Sequence, residues 1–219
     1  MEITSTKQIP KFIKMLVYGE AGVGKTVLSA TAPNPIIISA EKGLLSLADK
    51  DVPVIEVDSL KGCLEVYDYL NEQTQEYDTI VLDSLSEIGE ALLREFKKGE
   101  KDPRKAYMKM ADELDLLTKA FRDLDRHVVF IAKQELNKDE YSGKTTYRPS
   151  APGQSFTSNM AYLFDEVLCM RIGKEGKEIV RYLQTQPDLQ YQAKDRSGKL
   201  LSKEVPDLSV IINKIVGDT

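Results

Sequence analysis

The segment Gly19-Glu-Ala-Gly-Val-Gly-Lys-Thr26 decides the fold, because it matches the pattern G-x-x-x-x-G-K-[ST]. Glycines let such a loop wrap closely around phosphate oxygens, with backbone N–H groups pointing inward. Lys25 can reach the β- and γ-phosphates, and the Thr26 hydroxyl can ligate Mg²⁺. The segment therefore predicts a nucleotide-binding site formed by Gly19, Glu20, Ala21, Gly22, Val23, Gly24, Lys25, Thr26 and Val27.

The sequence on both sides of this loop supplies the context that the motif requires. The apolar run from Phe12 to Tyr18 is expected to form a buried strand, and Thr26 to Thr31 are expected to open a helix. The N-terminal end of that helix would point at the same anion. The other interpretation is an incidental glycine-rich turn, which would require neither a strand before it nor a helix after it.

A carboxylate at the end of a second apolar run is the candidate metal ligand. Asp83 directly follows Thr79-Ile-Val-Leu82, so it should lie at the carboxyl edge of the sheet, where ligands bind in open α/β folds. There it can hold Mg²⁺ through water, beside Thr26. Asp83 also precedes a helix, and a helix N-cap is the alternative role.

Apolar runs alternate with segments of helical periodicity, which predicts a three-layer α/β P-loop fold with a mostly parallel central sheet. The strands expected at 166–172, 179–184 and 191–196 suggest antiparallel pairing at the C-terminal edge. We expect one domain over residues 1–219, with an N-terminal extension at 1–10. The polar stretch 135–155 is expected to be a hairpin or a mobile loop, and 208–216 a short helix or strand.

Composition narrows the class of protein. A net charge of −5 argues against a strongly basic nucleic-acid binder, although it allows local basic loops. Cys63 and Cys169 are isolated and form no zinc pattern, so buried thiols are expected. Neither a signal peptide nor an apolar run long enough for a membrane span is evident, and we expect a cytoplasmic protein without membrane contact.

Taken together, these motifs resemble the RecA-like ATPases, which include recombinases and ring helicases. Besides the loop at 19–26, Ile36-Ile-Ile-Ser-Ala-Glu-Lys-Gly43 and Val81-Leu-Asp-Ser84 are similar to segments of that family. The resemblance implies that ATP is the nucleotide and that Glu41 orients the attacking water. A solvated glutamate at the start of a helix is the alternative for Glu41.

The segment Phe130-Ile-Ala-Lys-Gln134 also resembles this family, in which a strand ends in an amide that senses the γ-phosphate. The resemblance implies that role for Gln134, with a surface glutamine as the alternative. It also implies that 135–155 contacts DNA. Basic and aromatic residues interleave there, as phosphate contacts and base stacking require: Lys138, Tyr141, Lys144, Tyr147 and Arg148. A solvated loop, which would also accommodate Asp139 and Glu140, stays open.

Near the C-terminus, Ala193-Lys-Asp-Arg-Ser-Gly198 resembles the Lys-x-Arg-x-Gly segment of ring helicases. There the two cations reach the ATP site of the neighbouring subunit. The resemblance implies a homo-oligomer, ring or filament, with ATP at its interfaces and with Lys194 and Arg196 as the trans-acting cations. An exposed charged turn is the alternative.

The whole chain looks most similar to the phage-encoded Sak-four-type single-strand annealing proteins. That resemblance implies an ATPase that acts on single-stranded DNA in recombination or annealing within the bacterial host, with a single-stranded-DNA-binding protein as a further partner. Two other classes stay open: a P-loop small-molecule kinase, and a regulatory or partition ATPase with protein partners. A kinase of this kind usually has an arginine-rich lid, and no such segment is evident.

Overall fold

The computed structural model of the protein describes residues 12–41, 44–72, 76–140 and 143–217. In this part of the chain, strands β1 to β10 span Lys14–Gly19, Pro35–Ser39, Val54–Glu56, Thr79–Asp83, His127–Lys138, Thr145–Ser150, Glu166–Glu175, Glu178–Gln184, Lys194–Asp195 and Lys203–Glu204. Helices α1 to α6 span Lys25–Ser29, Leu60–Glu72, Leu85–Gly99, Pro103–Arg122, Gln154–Asn159 and Leu208–Val216. Short 3₁₀ helices cover Leu45–Leu47 and Met160–Leu163.

The strands form one sheet in the order β10-β8-β7-β1-β5-β4-β2-β3. The strands from β7 to β3 are parallel, whereas β8 and β10 add antiparallel pairs beside β7. Outside this path, β6 pairs antiparallel with β5, and β9 pairs antiparallel with β7. The predicted parallel centre with an antiparallel C-terminal edge is therefore confirmed.

Helices cover both faces of the sheet, and each strand contributes alternate residues to the two faces. Leu16 and Tyr18 pack in the layer of α2 to α5, whereas Met15 and Val17 pack with α1 and α6. Because the parallel strands are covered on both sides, they are continuous apolar runs, which is why the sequence shows them clearly. The result is the three-layer α/β architecture that the sequence predicts.

Helix ends follow ordinary capping rules. Ser84 caps α3, because its Oγ accepts from the Glu87 N–H, and Asp102 caps α4 with Pro103 at the first helical position. Asp207 caps α6 through the N–H groups of Ser209 and Val210. The tail at 208–216 is thus a helix, the first of the two predicted forms.

The segment 135–155 is largely a β-hairpin, the first of its two predicted forms, because β5 continues to Lys138 and pairs with β6. Other predicted boundaries were wrong. The strand expected at 191–196 is reduced to β9, preceded by an isolated bridge at Tyr191. The helix expected over Thr26 to Thr31 is α1, which ends at Ser29. In each case backbone pairing or packing with distant parts of the chain overrides the local pattern.

None of the helices in the described ranges combines the length and the apolar character that a membrane crossing requires. Both cysteines are buried and unlinked, as expected for structural thiols. Burial raises the pKa of the Cys63 thiol to about 12 and that of Cys169 to about 11. The predicted N-terminal extension at 1–10 lies outside the described residues.

Candidate functional site

A cavity of about 830 Å³ opens at the carboxyl edge of the parallel strands, where the ends of β1, β4 and β5 meet. Its lining includes most of the predicted nucleotide-binding loop, together with Glu41, Asp83 and Gln134. Val23 is instead buried in the core below the loop. The three strand ends bring together residues that are more than one hundred positions apart in the sequence.

At two positions of the loop the structure explains why the residue is glycine. Gly24, which precedes α1, has a φ of 107°, a conformation that other residues rarely adopt. A Cβ atom at Gly19 would lie 2.5 Å from the carbonyl oxygen of Met170, so the close approach of β7 permits only glycine there. Because α1 has five residues, the loop N–H groups and Lys25 must provide most of the attraction for an anion.

The Lys25 ammonium lies at the centre of the loop and donates to the carbonyl oxygens of Gly19 and Glu20, at 2.9 and 2.8 Å. Burial lowers its pKa, and the charges of Asp83 and Glu41 partly oppose that effect. The cationic group therefore faces the two carboxylates across the cavity. This arrangement fits a phosphate chain with a bound metal between them.

Asp83 ends β4 and is 3 % exposed. Its carboxyl group meets the Thr26 side chain, whereas its Oδ2 atom is buried and has no hydrogen-bond partner among the described residues. Burial raises the Asp83 pKa to about 6, and the nearby Glu41 contributes in the same direction. A buried carboxylate oxygen without a hydrogen-bond donor carries a desolvation cost that a bound cation would offset. Asp83 and Thr26 therefore fit Mg²⁺. The alternative role as N-cap of α3 belongs to Ser84 instead.

Glu41 follows β2 and is exposed at the cavity. Ser84 Oγ donates to its Oε1 atom at 3.3 Å, so the glutamate is connected to the end of the neighbouring strand β4. Its carboxylate is therefore within the cavity that would hold the phosphates, as the water-orienting role requires. The role itself stays a prediction. The next two residues of the resembling segment, 42 and 43, lie outside the described residues.

Gln134 lies on β5 just beyond Gly19, since Gly19 is level with Lys133 on the adjacent strand. It lines the cavity, and its Oε1 accepts a long hydrogen bond of 3.8 Å from Cys169 Sγ. Its neighbour Lys133 forms an ion pair with Glu87, and the Lys133 N–H donates to Ser86 Oγ. Gln134 is thus half-buried at the cavity, and its role as a γ-phosphate sensor stays a prediction.

The predicted DNA-contacting residues are divided by the hairpin. Lys138 and Lys144 are exposed near its tip, whereas Tyr147 and Arg148 are half-buried at its base. The Tyr147 ring stacks on Tyr191 with centroids 4.7 Å apart, and Arg148 Nε donates to Glu135 at 2.7 Å. Both of these side chains therefore have contacts within the protein. Tyr141 lies outside the described residues.

Lys194 and Arg196 do not line the cavity. Lys194 on β9 pairs with Val167 of β7, and Val167 in turn is level with Leu16 of β1. Leu16 precedes Gly19 by three strand residues, so Lys194 lies about 10 Å from Gly19 along the strand direction. Lys194 Nζ donates to the Ala161 carbonyl, and Arg196 forms a 2.8 Å ion pair with Asp165. Neither residue can serve the nucleotide site of its own chain from this position.

The cavity also has lining residues that were not predicted as site residues, and these include Ser84, Lys133, Met170, Arg181 and Pro206. Lys133 and Ser84 adjoin predicted site residues, so an adjacency argument could have found them. Arg181 comes from the antiparallel strand β8, and Pro206 from the loop before α6. No local pattern connects these two with the glycine-rich loop.

A glycine-rich loop after β1, a carboxylate at the end of β4 and a three-layer sheet define a P-loop nucleoside triphosphatase with a RecA-like fold. Residues 11–197 match the family model of the AAA domain (AAA_24), and the chain belongs to that family. Membership in this family of P-loop ATPases implies nucleotide binding, usually with Mg²⁺.

No curated protein matches the chain. Among solved structures, a KaiC-like protein from the hyperthermophilic archaeon Pyrococcus horikoshii OT3 is similar, with a TM-score of 0.45 and 11% sequence identity. That similarity covers 78% of this chain and 76% of the other.

Proposed function

We propose that this protein is a magnesium-dependent ATPase that acts on single-stranded DNA in recombination or strand annealing, as a phage-encoded protein in the bacterial cytoplasm. The observation that carries the proposal is the continuity of β5, which passes from Gln134 in the nucleotide cavity to Lys138 near the tip of the β5–β6 hairpin. One strand thus joins the phosphate site to an exposed basic tip.

For hydrolysis, the residues of the cavity have distinct roles. Lys25 stabilises charge on the phosphate oxygens, and Glu41 orients the attacking water. Thr26 and Asp83 would hold Mg²⁺, which when bound neutralises charge on the phosphate chain. The support for this assignment is that Lys25, Thr26, Glu41 and Asp83 all line one cavity.

Hydrogen bonds connect the start of α3, which follows the strand that carries Asp83, to the hairpin. Ser86, at the start of α3 close to Asp83, donates to the Ser150 carbonyl at 2.5 Å and accepts from the Lys133 N–H at 2.9 Å. Ser150 closes the hairpin, where it is level with Lys133. A change around the phosphates can therefore reach both strands of the hairpin through Ser86 and Gln134.

The tip of the hairpin offers cationic groups to DNA. Lys138 pairs with Thr145 across the hairpin, so Lys138 and Lys144 lie at the same end and are both exposed. Their ammonium groups suit backbone phosphates, which bind without regard to sequence. Tyr147 and Arg148 contribute by supporting the hairpin base through Tyr191 and Glu135.

The oligomer is part of the same proposal. Lys194 and Arg196 lie toward the amino end of β7, away from the cavity of their own chain, so as catalytic cations they must act on a neighbouring subunit. A ring or a filament with ATP at its interfaces would satisfy this requirement. Arg196 is 60% exposed at its side chain, although paired with Asp165, and can therefore reach a second chain.

The test is steady-state ATP hydrolysis with and without single-stranded DNA. DNA should stimulate the wild-type rate, and Lys25→Ala should abolish hydrolysis. Arg196→Ala should lower turnover by about 10³-fold. The double variant Lys138→Ala/Lys144→Ala should keep the basal rate and lose the stimulation, with exposed Lys101→Ala as the control.

Hydrolysis that responds neither to DNA nor to Arg196→Ala would overturn the proposal. That outcome would direct the search to a small-molecule acceptor or to a protein partner. The two alternative classes make different predictions at this point, because a kinase would transfer phosphate to an added acceptor and a partition ATPase would not.

A further inference from the structure

The β7–β8 hairpin forms one wall of the nucleotide cavity. Met170 on β7 approaches the loop so closely that its carbonyl oxygen would lie 2.5 Å from a Cβ atom at Gly19. Its Cε atom would lie 3.3 Å from a Cβ atom at Gly24. From β8, Arg181 joins Met170 in the lining of the cavity. The hairpin is therefore an integral part of the site, although the motif contains none of its residues.

Arg181 is attached to the loop by its own hydrogen bond. Its Nε donates to the Val23 carbonyl oxygen at 2.9 Å, and its Nε and Cδ atoms would lie 3.7 and 3.8 Å from a Cβ atom at Gly24. Val23 is buried, so the acceptor is part of the rigid core. This single bond fixes one edge of a planar group.

The rest of the Arg181 guanidinium is available to a ligand. Across the described residues, neither of its Nη groups has a hydrogen bond or an ion pair within the chain. Arg171 on β7 is different, because it bonds Gln184 and lies over the Tyr191 ring, 3.7 Å from its centroid. Alternation along the hairpin places Arg171 and Arg181 on opposite faces, since Arg171 pairs with Tyr182 and Arg181 pairs with Ile172.

Arg181 lines the cavity, and a guanidinium whose Nε is held by the protein and whose Nη groups have no partner among the described residues is suited to phosphate oxygens. Arginine binds phosphate through parallel N–H donors, and a fixed plane loses little freedom on binding. Lys133 also borders the cavity, but its ammonium is engaged by Glu87. Lys25 and Arg181 are thus the cations in the lining that are not committed to a carboxylate.

We propose that Arg181 binds the phosphate chain of the nucleotide held by the loop of its own chain. The inference rests on the proposed nucleotide binding, but on neither hydrolysis nor DNA. It assigns a cation in cis to the site, separate from Lys194 and Arg196, which the resemblance assigns in trans. It also gives the β7–β8 hairpin a direct contact with the nucleotide.

Equilibrium binding of fluorescent ATP and GTP analogues in the presence of Mg²⁺ tests this directly. Arg181→Met should weaken both nucleotides by the same factor, about 10- to 100-fold, because a charged hydrogen bond to phosphate is lost whatever the base. Arg181→Lys should lose less nucleotide affinity than Arg181→Met, since lysine keeps the positive charge. Lys177→Met, which removes an exposed cation from the same hairpin, is the matched control and should bind as the wild type does.

Two results would overturn the proposal: wild-type affinity in Arg181→Met, or a loss confined to one of the two bases, which would indicate contact with the base. An unchanged thermal transition without nucleotide would show that the variant folds. If the wild-type protein binds nucleotide but shows no response to DNA, the proposed function fails while the role of Arg181 stands.

Mixed oligomers test the cis geometry. Given the proposed hydrolysis, mixtures of Lys25→Ala and Arg181→Ala subunits at an ATP concentration far below the Kd of Arg181→Ala should show no more activity than the two variants assayed separately, because both residues must come from one chain. Recovery of hydrolysis in that mixture would show that Arg181 acts in trans and would contradict the proposal. Lys25→Ala mixed with Arg196→Ala should recover partial activity if Arg196 serves the neighbouring site.

Discussion

The side chains of Thr26 and Asp83 meet at the cavity, although β5 lies between the strands that lead to these two residues. The contact brings the end of the glycine-rich loop and the end of β4 to the same point of the cavity. The second carboxyl oxygen, Oδ2, is buried and has no partner among the described residues. An oxygen in that state raises the free energy of the ionised carboxylate until a cation or a proton binds.

Asp83→Asn is therefore expected to stabilise the metal-free protein at pH 8. The Asp83 pKa is raised from 3.8 to about 6, so ionisation costs the folded state free energy above pH 6, of the order of 3 kcal/mol. The cost develops between pH 4 and 6 and is absent below pH 4. Thermal unfolding without Mg²⁺ at pH 8 and at pH 4 measures it. Equal stabilisation at both pH values would contradict the explanation.

Binding of Mg²⁺-nucleotide should depend on pH through the same group. Because the metal requires the ionised carboxylate, affinity should rise from pH 5 to pH 7, with a midpoint near the Asp83 pKa of about 6. Titrations of Mg²⁺-ATP at half-unit intervals would show the midpoint. Asp83→Asn serves as the control, and a midpoint that persists in this variant would assign the titration to another group.

Gln134→Ala should uncouple the nucleotide from DNA while leaving nucleotide binding nearly intact. A neutral hydrogen bond contributes about 1 kcal/mol, so affinity for ATP should fall by no more than about fivefold. Stimulation of hydrolysis by single-stranded DNA should disappear, because Gln134 joins the cavity to the hairpin. Gln190→Ala, at an exposed glutamine, is the control. Full stimulation in Gln134→Ala would remove it from the coupling route.

Gly89→Ala should destabilise the packing of α3 on α4. A Cβ atom there would lie 2.8 Å from Pro152 Cδ and 3.0 Å from Leu114 Cδ2. Crowding of this kind costs about 1–3 kcal/mol. Gly99→Ala in the same helix meets no atom within 4 Å and should be neutral or stabilising by about 0.5–1 kcal/mol. Urea unfolding of the two variants compares their free energies of unfolding. Equal changes in both would show that backbone entropy, and not crowding, determines the effect of the substitution.

Glu166→Gln should stabilise the protein at alkaline pH. Glu166 is buried beside Asp195, and burial raises its pKa from 4.5 to about 8, with the neighbouring charge adding to the effect. Ionisation therefore opposes folding increasingly between pH 4.5 and 8, and the full cost applies above pH 8. The variant should unfold at a higher temperature than the wild type at pH 9 and at a similar temperature at pH 4. A constant difference across this range would argue against titration of Glu166.

The sequence predicted the location of a residue well wherever one short segment contains both the reactive side chain and the strand that positions it. The loop at 19–26 and Asp83 after its apolar strand are of this kind, because a strand end fixes where the next residue lies. Gln134 follows the same rule at the end of the buried part of β5. Buried parallel strands are continuous apolar runs, so their order along the chain could be recognised without any knowledge of their pairing.

Predictions about surface segments were less accurate. The stretch 135–155 contains aromatic and basic residues, but whether they face DNA depends on the register of β5 with β6 and on the stacking of Tyr147 with Tyr191. The strand expected at 191–196 fails because only Lys194 and Asp195 pair with β7. Both outcomes depend on contacts between residues far apart in the chain.

By itself, therefore, the sequence determined the class of fold, the phosphate-binding loop, the end of the strand that carries Asp83 and the end of the buried part of the strand that carries Gln134. Only the tertiary structure decided that Arg181 lines the cavity beside the glycine-rich loop and that Lys194 and Arg196 lie away from this cavity. The physical reason is that a motif encodes local backbone geometry. The neighbours of a side chain across a sheet are set by strand order and register, to which residues along the whole chain contribute.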